Sequence, residues 1–251
     1  MLGFCRQDRG LRADRAEGRE ANVTASRGPR TGAPRSVRAL STAETRIPPP
    51  YRMHTERLTI RCWEPRDAPL LADALGSSLE HLRPWMPWAH DEPTPLDEKV
   101  ELLRRFRGMF DLGQDFVYGL FDREESEVVG GTGLHTRIGP EALEIGYWLR
   151  SSRVGAGLAR EATAALTTVA FRVCGVDRVE IRIDPANRRS LRVPRSLGFT
   201  EEGTLRRRLP SGPDGAPRDM VVFTLFRDEV DRLPAALVPE AFDAAGRLMT
   251  V

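Results

Sequence analysis

Apolar and polar residues alternate with a strand-like or a helix-like period over most of the chain from residue 55 onward. Residues 55–63 place Leu58, Ile60 and Cys62 between polar neighbours, which predicts a half-buried strand. Further strands are predicted at 116–122, 128–137, 142–149, 179–183, 199–205 and 219–226, and helices at 65–75, 97–112, 158–173 and 187–197. This order predicts an α/β (α+β) fold with one mixed sheet of about seven strands and helices on both faces.

The segment 143–173 is predicted to form a strand, a glycine-containing turn and a long helix. The apolar stripe of that helix comprises Leu158, Ala162, Leu166, Val169 and Val173. Gly155 and Gly157 lie where the helix begins, and glycine allows the backbone to come close to a ligand. The first N–H groups of a helix have no internal acceptor and lie at the positive end of its dipole. The segment therefore predicts an anion site for a phosphate or pyrophosphate.

Two common phosphate-binding motifs are absent from this turn. The pattern GxxxxGK[ST] needs a lysine, and the sole lysine of the chain is Lys99. The pattern GxGxxG fails because the third residue after Gly157 is Arg160. The shorter pattern xxGxG/A does fit, at Gly155-Ala156-Gly157. Since glycine turns of this kind also occur as purely structural features, that alternative stays open for the motif alone.

Charge is distributed unevenly along the chain. Residues 1–52 hold 11 arginines against 5 acidic residues, and residues 53–251 hold 27 basic against 31 acidic residues. Because the first segment is poor in aromatic residues and ends in three prolines, we expect it to be a disordered, Arg-rich extension. A passive tail or a misassigned start codon is favoured over a nucleic-acid-binding arm, so binding of nucleic acid is not expected.

The remaining composition indicates a cytoplasmic protein. No apolar run of 18 residues occurs, so no membrane contact is expected. An odd number of cysteines with no CxxC pattern excludes a disulfide framework: Cys5, Cys62 and Cys174. The four histidines occur singly, so no metal site is predicted.

Five stretches together resemble one protein family. In chain order they are TERLTIRCWEPRDAP, LRPWMPW, GGTGLHTRIG with LEIGYWL, RVGAGLAREA and NRRSLRVPRSLGF. They resemble the RimJ/RimL-type branch of the GCN5-related N-acetyltransferase (GNAT) superfamily over residues 55–226. The resemblance implies a GNAT fold with a mostly antiparallel sheet at 53–230, followed by a C-terminal tail at 231–251. It also implies an enzyme that transfers an acetyl group from acetyl-CoA to a primary amine.

The resemblance implies two sets of binding residues. Acetyl-CoA is expected to contact Leu149, Arg150, Val154, Gly155, Gly157, Leu158, Ala159, Arg160, Asn187 and Ser190. Arg153 adds positive charge near this loop, although a solvated surface role for the arginines stays open. The acceptor is expected to contact Trp85, Trp88, His135 and Trp148. The alternative for the aromatic loop LRPWMPW is that it fills part of the core. The alternative for His135 is a hydrogen-bonded histidine of the core.

Two side chains are predicted to take part in catalysis. Glu144 alternates with Gly146 and Trp148 on one strand face, so it is a candidate base with a pKa raised by an apolar wall. Its alternative is a structural salt bridge. Ser190 is the family-matched donor to the leaving thiolate, with helix capping as the alternative.

The acceptor itself stays open in the sequence. A protein N-terminal α-amine and a small-molecule amine fit equally well, and a homodimer is also left open. The competing functional class is a non-catalytic domain that binds CoA or a protein partner.

Overall fold

The computed structural model describes residues 48–209, 215–233 and 237–251. Within these residues the strands β1 to β10 are Arg52–His54, Leu58–Cys62, Phe116–Asp122, Val128–His135, Ala142–Leu149, Arg178–Ile183, Thr200–Leu209, Arg218–Phe226, Glu240–Phe242 and Leu248–Met249. The helices α1 to α5 are Ala68–Gly76, Leu79–Leu82, Leu96–Asp111, Leu158–Arg172 and Arg188–Ser196. No helix among the described residues is long and apolar enough to cross a membrane.

All the strands of the described chain belong to one mixed sheet. Their spatial order is β10-β9-β1-β2-β3-β4-β5-β6-β8-β7. Neighbouring strands are antiparallel except for β5 and β6, which are parallel and pair through Ala142–Glu144 and Arg178–Glu180. Beyond Glu144 the pairing ends, and residues of both strands line a narrow cleft of about 50 Å³. The sheet therefore opens as a wedge between β5 and β6.

Helices cover both faces of the sheet because successive strand residues point to opposite sides. On one face α4 packs Ala162, Leu166 and Val169 into a core with residues such as Ile145 of β5. On the other face α1 and α3 pack against a second core that contains Trp148 of β5. Full burial of a leucine-sized side chain contributes about 1.5–3 kcal/mol, so α4 is a major stabilising element.

The predicted fold is confirmed, and the sheet is larger than predicted. The additional strands are β1, β9 and β10, which have three, three and two residues. The predicted extension reaches to residue 52, yet Arg52 already pairs in the sheet and the Tyr118 hydroxyl donates to Pro50 O at 2.8 Å. In the predicted tail, β9 pairs with β1 and β10 pairs with β9. The predicted disorder of residues 1–47 lies outside the described residues and stays a prediction.

Candidate active site

The turn between β5 and α4 needs glycine at two positions. Gly155 has φ +89° and Gly157 has φ +81°, both in the left-handed region that side chains with a Cβ rarely adopt. Gly157 is the N-cap of α4, and the helix begins at Leu158. The N–H groups at the start of this helix, which have no acceptor within the helix, therefore lie directly after the turn, where an anion site is expected.

An ion pair between the buried Glu161 and the partly exposed Arg57 holds this turn against the segment that precedes β2. Glu161 is 3% exposed and accepts hydrogen bonds from Thr55 Oγ1 at 2.6 Å, Arg57 N at 2.9 Å and Arg57 Nε at 2.7 Å. Arg57 Nη1 then donates to Ala156 O at 2.7 Å, in the middle of the glycine turn. This pair was not predicted because more than one hundred residues separate its members, although each lies in a stretch that resembles the family.

A groove of about 820 Å³ lies between the end of β5, the start of α4, α5 and the segment around Trp85. Its volume is in the range of ligand sites. The predicted binding residues that line it are Leu149, Val154, Gly155, Gly157, Leu158, Ala159, Arg160, Asn187, Ser190, Trp85 and Trp148. The structure thus brings together most of the predicted donor site and two of the predicted acceptor residues.

The cations of the groove match the prediction only in part. Arg150 contacts Asp73 at 2.8 Å and Glu127 at 3.1 Å, and Arg153 Nε contacts Glu127 at 2.9 Å. Neither guanidinium group lies among the described residues that line the groove, because both are held by these carboxylates. Positive charge at the groove comes from the predicted Arg160 and from three arginines that were not predicted, Arg188, Arg189 and Arg192. The last three stand in the NRRSLR stretch, where the sequence analysis singled out only the asparagine and the serine.

The N-terminus of α5 is capped by Asn187. The side-chain oxygen of Asn187 accepts a hydrogen bond from Ser190 N at 3.2 Å. The alternative interpretation required the Ser190 hydroxyl to be the capping acceptor, but the acceptor is the side chain of Asn187. Ser190 lines both the main groove and the narrow cleft between β5 and β6, which places it where a thioester sulfur could be bound.

We expect Ser190→Ala to lower kcat by about 10- to 100-fold and to leave the acetyl-CoA dissociation constant nearly unchanged. The hydroxyl would bind the thiolate more strongly than the thioester, so it would help the transition state more than the bound substrate. Because Asn187 caps the helix, the melting temperature should stay at the wild-type value. Steady-state kinetics and thermal unfolding of the variant check both points.

The matched control is Ser77→Ala, which removes an exposed hydroxyl that donates to Asp73 O at the end of α1. This variant should retain the wild-type kcat. A Ser190→Ala protein with unchanged kcat and a lower melting temperature would exclude the catalytic role.

Tyr147 is a further residue of the site that the sequence analysis did not single out. It lies between Gly146 and Trp148 in β5, lines the groove, and its hydroxyl donates to Ser190 O at 3.2 Å. Burial raises the pKa of its phenol above the ordinary value of 10.0, so the group stays protonated and acts as a donor. The signal available in the sequence was the alternation of β5, which sends Tyr147 to the face opposite Trp148.

Glu144 is the last residue of β5 that pairs with β6, and it is 2% exposed. Arg137 Nε donates to its Oε2 at 3.0 Å, and Arg182 Nε lies 3.7 Å from the same oxygen. Burial raises the pKa of Glu144, but the two arginines outweigh burial and leave its pKa below the ordinary value of 4.5. The expected raised pKa is therefore wrong, since the predicted apolar wall is in fact a pair of guanidinium groups. Glu144 is not among the described residues that line the groove.

A small cavity of about 10 Å³ adjoins the groove on the predicted acceptor side. Its lining comprises Met86, Trp88, Gly131, Thr132, His135, Gly146, Tyr147 and Trp148. The rings of Trp88 and Trp148 meet edge to face with centroids 6.0 Å apart. Trp88 Nε1 is buried and has no hydrogen-bond partner among the described residues. Because a buried N–H group normally has an acceptor, the cavity is polar enough to bind a water or a substrate group.

The glycines of β4 make room for the side chains around this cavity. A Cβ on Gly131 would lie 2.5 Å from Trp148 Nε1, and a Cβ on Gly133 would lie 2.7 Å from His135 Nε2. The GGTG stretch therefore allows an indole and an imidazole to lie flat over the strand.

The fold and the groove define an N-acetyltransferase of the GNAT type. Residues 57–200, more than half of the chain, match the family described as "Acetyltransferase (GNAT) domain", and the chain belongs to that family. It is an acetyl-CoA-dependent N-acetyltransferase, which confirms the sequence-based prediction. The helix-start N–H groups, the groove arginines and the unpaired edge of β5 fit the diphosphate and the amide-containing arm of acetyl-CoA.

Its relatives place it in the RimJ/RimL-like branch. It is 31% identical over 182 residues to the [ribosomal protein uS5]-alanine N-acetyltransferase of Escherichia coli K12, covering 70% of this chain and 91% of the relative. It is 29% identical to the putative ribosomal N-acetyltransferase YdaF of Bacillus subtilis 168, covering 69% and 93%. The structure of Mycobacterium smegmatis RimJ in complex with CoA-disulfide matches with a TM-score of 0.66 and 26% identity, covering 78% and 100%.

Proposed function

We propose that the acceptor is the N-terminal α-amino group of a ribosomal protein. The names of the relatives in Escherichia coli and Bacillus subtilis support the protein class of the acceptor. The observation that carries the choice of an α-amine is the character of the small acceptor-side cavity. Among its described lining residues the titratable groups are His135 and Tyr147, and none is a carboxylate.

The chemistry of this cavity favours an amine that loses its proton readily. An α-amino group has a pKa of about 8 and a lysine side chain about 10.4, so the neutral fraction near pH 7 differs by about 250-fold. A cavity without a carboxylate offers little electrostatic stabilisation to an ammonium ion. The cavity is also only about 10 Å³, which is space for one amino group or one water molecule. These features support an α-amine over a lysine or a polyamine.

A panel of acceptors tests this proposal. We expect kcat/KM for peptides with a free N-terminal alanine or serine to exceed that for an Nα-blocked peptide with one lysine by about 100-fold or more. Release of CoA thiol gives the rate, and mass spectrometry locates the acetyl group. Unacetylated ribosomal proteins incubated with labelled acetyl-CoA should take up label at an N-terminus. Preference for spermidine, an aminoglycoside or the lysine peptide would contradict the proposal.

A further inference from the structure

His135 at the end of β4 is held in one orientation by Asp115, which precedes β3. The ring is 1% exposed, and its Nδ1 lies 2.9 Å from Asp115 Oδ2 and 3.0 Å from Oδ1. An ionised carboxylate can only accept hydrogen bonds, so Nδ1 must carry a proton. The neutral ring therefore has its lone pair on Nε2, the nitrogen on the other side of the imidazole.

His135 is also a lining residue of the small acceptor-side cavity. His135 lines that cavity together with Trp88, and its Nε2 lies over Gly133, where a Cβ would approach to 2.7 Å. The cavity and the main groove share Met86, Tyr147 and Trp148 as common walls. An amine that enters the small cavity from the groove therefore comes next to the imidazole of His135.

The other candidate groups of the site are engaged differently. Glu144 contacts Arg137 and Arg182 and does not line the groove or the small cavity among the described residues. The Tyr147 hydroxyl donates a hydrogen bond to Ser190 O, so this group is a hydrogen-bond donor rather than a base. We propose that His135 is the catalytic base that takes the proton of the acceptor ammonium, with Asp115 as the residue that positions its ring.

The protonation state of His135 suits this role. Burial lowers the pKa of His135 below the ordinary value of 6.5, Asp115 raises it, and Arg137 lowers it further, so that the net shift is downward. The charged groups that face the ring are Asp115 before β3, Arg137 after β4 and Glu144 on β5. The ring is therefore neutral at physiological pH and free to accept a proton, as a general base must be.

The proposed step balances in protons and electrons. His135 Nε2 takes one proton from R–NH₃⁺, and the nitrogen lone pair that this releases forms the new N–C bond to the acetyl carbon. The C–S bond breaks with its electron pair on sulfur. The second proton lost by the nitrogen converts the thiolate to the thiol, and His135 returns its proton to solvent. The amide, the thiol and one proton are the products.

His135→Asn separates a base from a merely structural histidine. Asparagine keeps a donor near the position of Nδ1, so the contact with Asp115 is retained while the basic nitrogen is lost. We expect kcat on an alanine-initiated peptide to fall by about 100-fold or more, with unchanged acetyl-CoA affinity and melting temperature. The matched control is His54→Asn in β1, which is half-buried, contacts Thr59 Oγ1 at 3.1 Å and should keep wild-type activity.

An acceptor that needs no base provides the second measurement. A peptide that begins with trifluoroalanine has an amine whose pKa lies below neutrality. On this peptide His135→Asn should react at nearly the wild-type rate, whereas a misfolded or mispositioned site would stay slow. Asp115→Asn should lower kcat on the alanine peptide by about 10-fold or more, with the same recovery. A loss of the same size on both peptides would overturn the proposal.

Nuclear magnetic resonance of the acetyl-CoA-free protein supplies a readout that does not depend on the acceptor. The imidazole nitrogens of His135 should show a neutral ring protonated at Nδ1 across neutral pH, and Asp115→Asn should alter that tautomer. A ring protonated at Nε2, or charged at neutral pH, would contradict the inference even if the peptide panel succeeds. Conversely, failure of the α-amine peptides in the panel would leave this spectroscopic outcome unaffected and would count against the proposed acceptor alone.

Discussion

Replacing Gly157 with valine is expected to abolish acetyl-CoA binding in a calorimetric titration. Gly157 has φ +81° as the N-cap of α4, and a β-branched residue strongly disfavours that conformation. The added Cβ itself would make only an ordinary contact, 3.5 Å from Arg57 Nη2, so the expected effect comes from the backbone conformation. The turn would therefore rearrange, and the N–H groups at the start of α4 would lose their common direction toward the diphosphate.

Gly246→Val is the matched control for this variant. Gly246 has φ +73° in the turn between β9 and β10, and a Cβ there meets no atom within 4 Å. The backbone strain is comparable, but the position lies beside β10 at one edge of the sheet, and five strands separate β10 from β5 at the groove, so binding should be retained. Wild-type affinity in Gly157→Val would show that the glycine turn is not the donor site.

Replacing Glu144 with glutamine is expected to lower the free energy of unfolding by about 2–3 kcal/mol at neutral pH. The buried carboxylate contacts Arg137 and Arg182, and both arginines are partly exposed, so the loss falls below the 3–5 kcal/mol typical of a fully buried pair. Urea unfolding measures the difference. Glu201→Gln, which removes one member of an exposed pair with Arg195, should change stability by less than about 1 kcal/mol.

The pH dependence of this stability follows from the lowered pKa of Glu144. The pKa in the folded protein lies below 4.5, because Arg137 and Arg182 outweigh the effect of burial. The contribution of the carboxylate is therefore fully present above pH 4.5 and is lost as the pH falls through the lower folded-state pKa. The difference in the free energy of unfolding between the wild type and Glu144→Gln should therefore disappear at acidic pH. Intact stability combined with a 10- to 1000-fold lower rate that recovers at high pH would instead identify Glu144 as the base.

The fold was largely predictable because its central elements carry strong periodic signals. β3 and β5 begin and end at the predicted residues, since alternation and tight connections bound them on both sides. β9 and β10 were missed because two or three residues are too few to show a period. They are strands through their pairing with β1 and with each other, which depends on tertiary structure.

Some features of the site depend on contiguous residues of the chain, and others depend on tertiary contacts. The glycine turn was predictable because Gly155, Gly157 and the helix that follows are contiguous in the chain. The partners of Glu161, Glu144 and His135 were not predictable, since each pair joins residues of different segments that only the tertiary structure brings together. The direction of the Glu144 pKa shift was wrong for this reason: composition near a residue in sequence does not report the charges beside it in space.

Because β5 and β6 pair over only three residues, the stability of this enzyme should depend on the concentration of acetyl-CoA. From Ile145 to Leu149 the main chain of β5 has no partner in β6, so an amide-bearing donor can extend the sheet there. A ligand that binds only the folded state raises its stability with concentration, by about 2.7 kcal/mol at one hundred times its dissociation constant. Bound acetyl-CoA should therefore raise the resistance of this enzyme to heat and to proteolysis, and the effect should grow with the acetyl-CoA concentration.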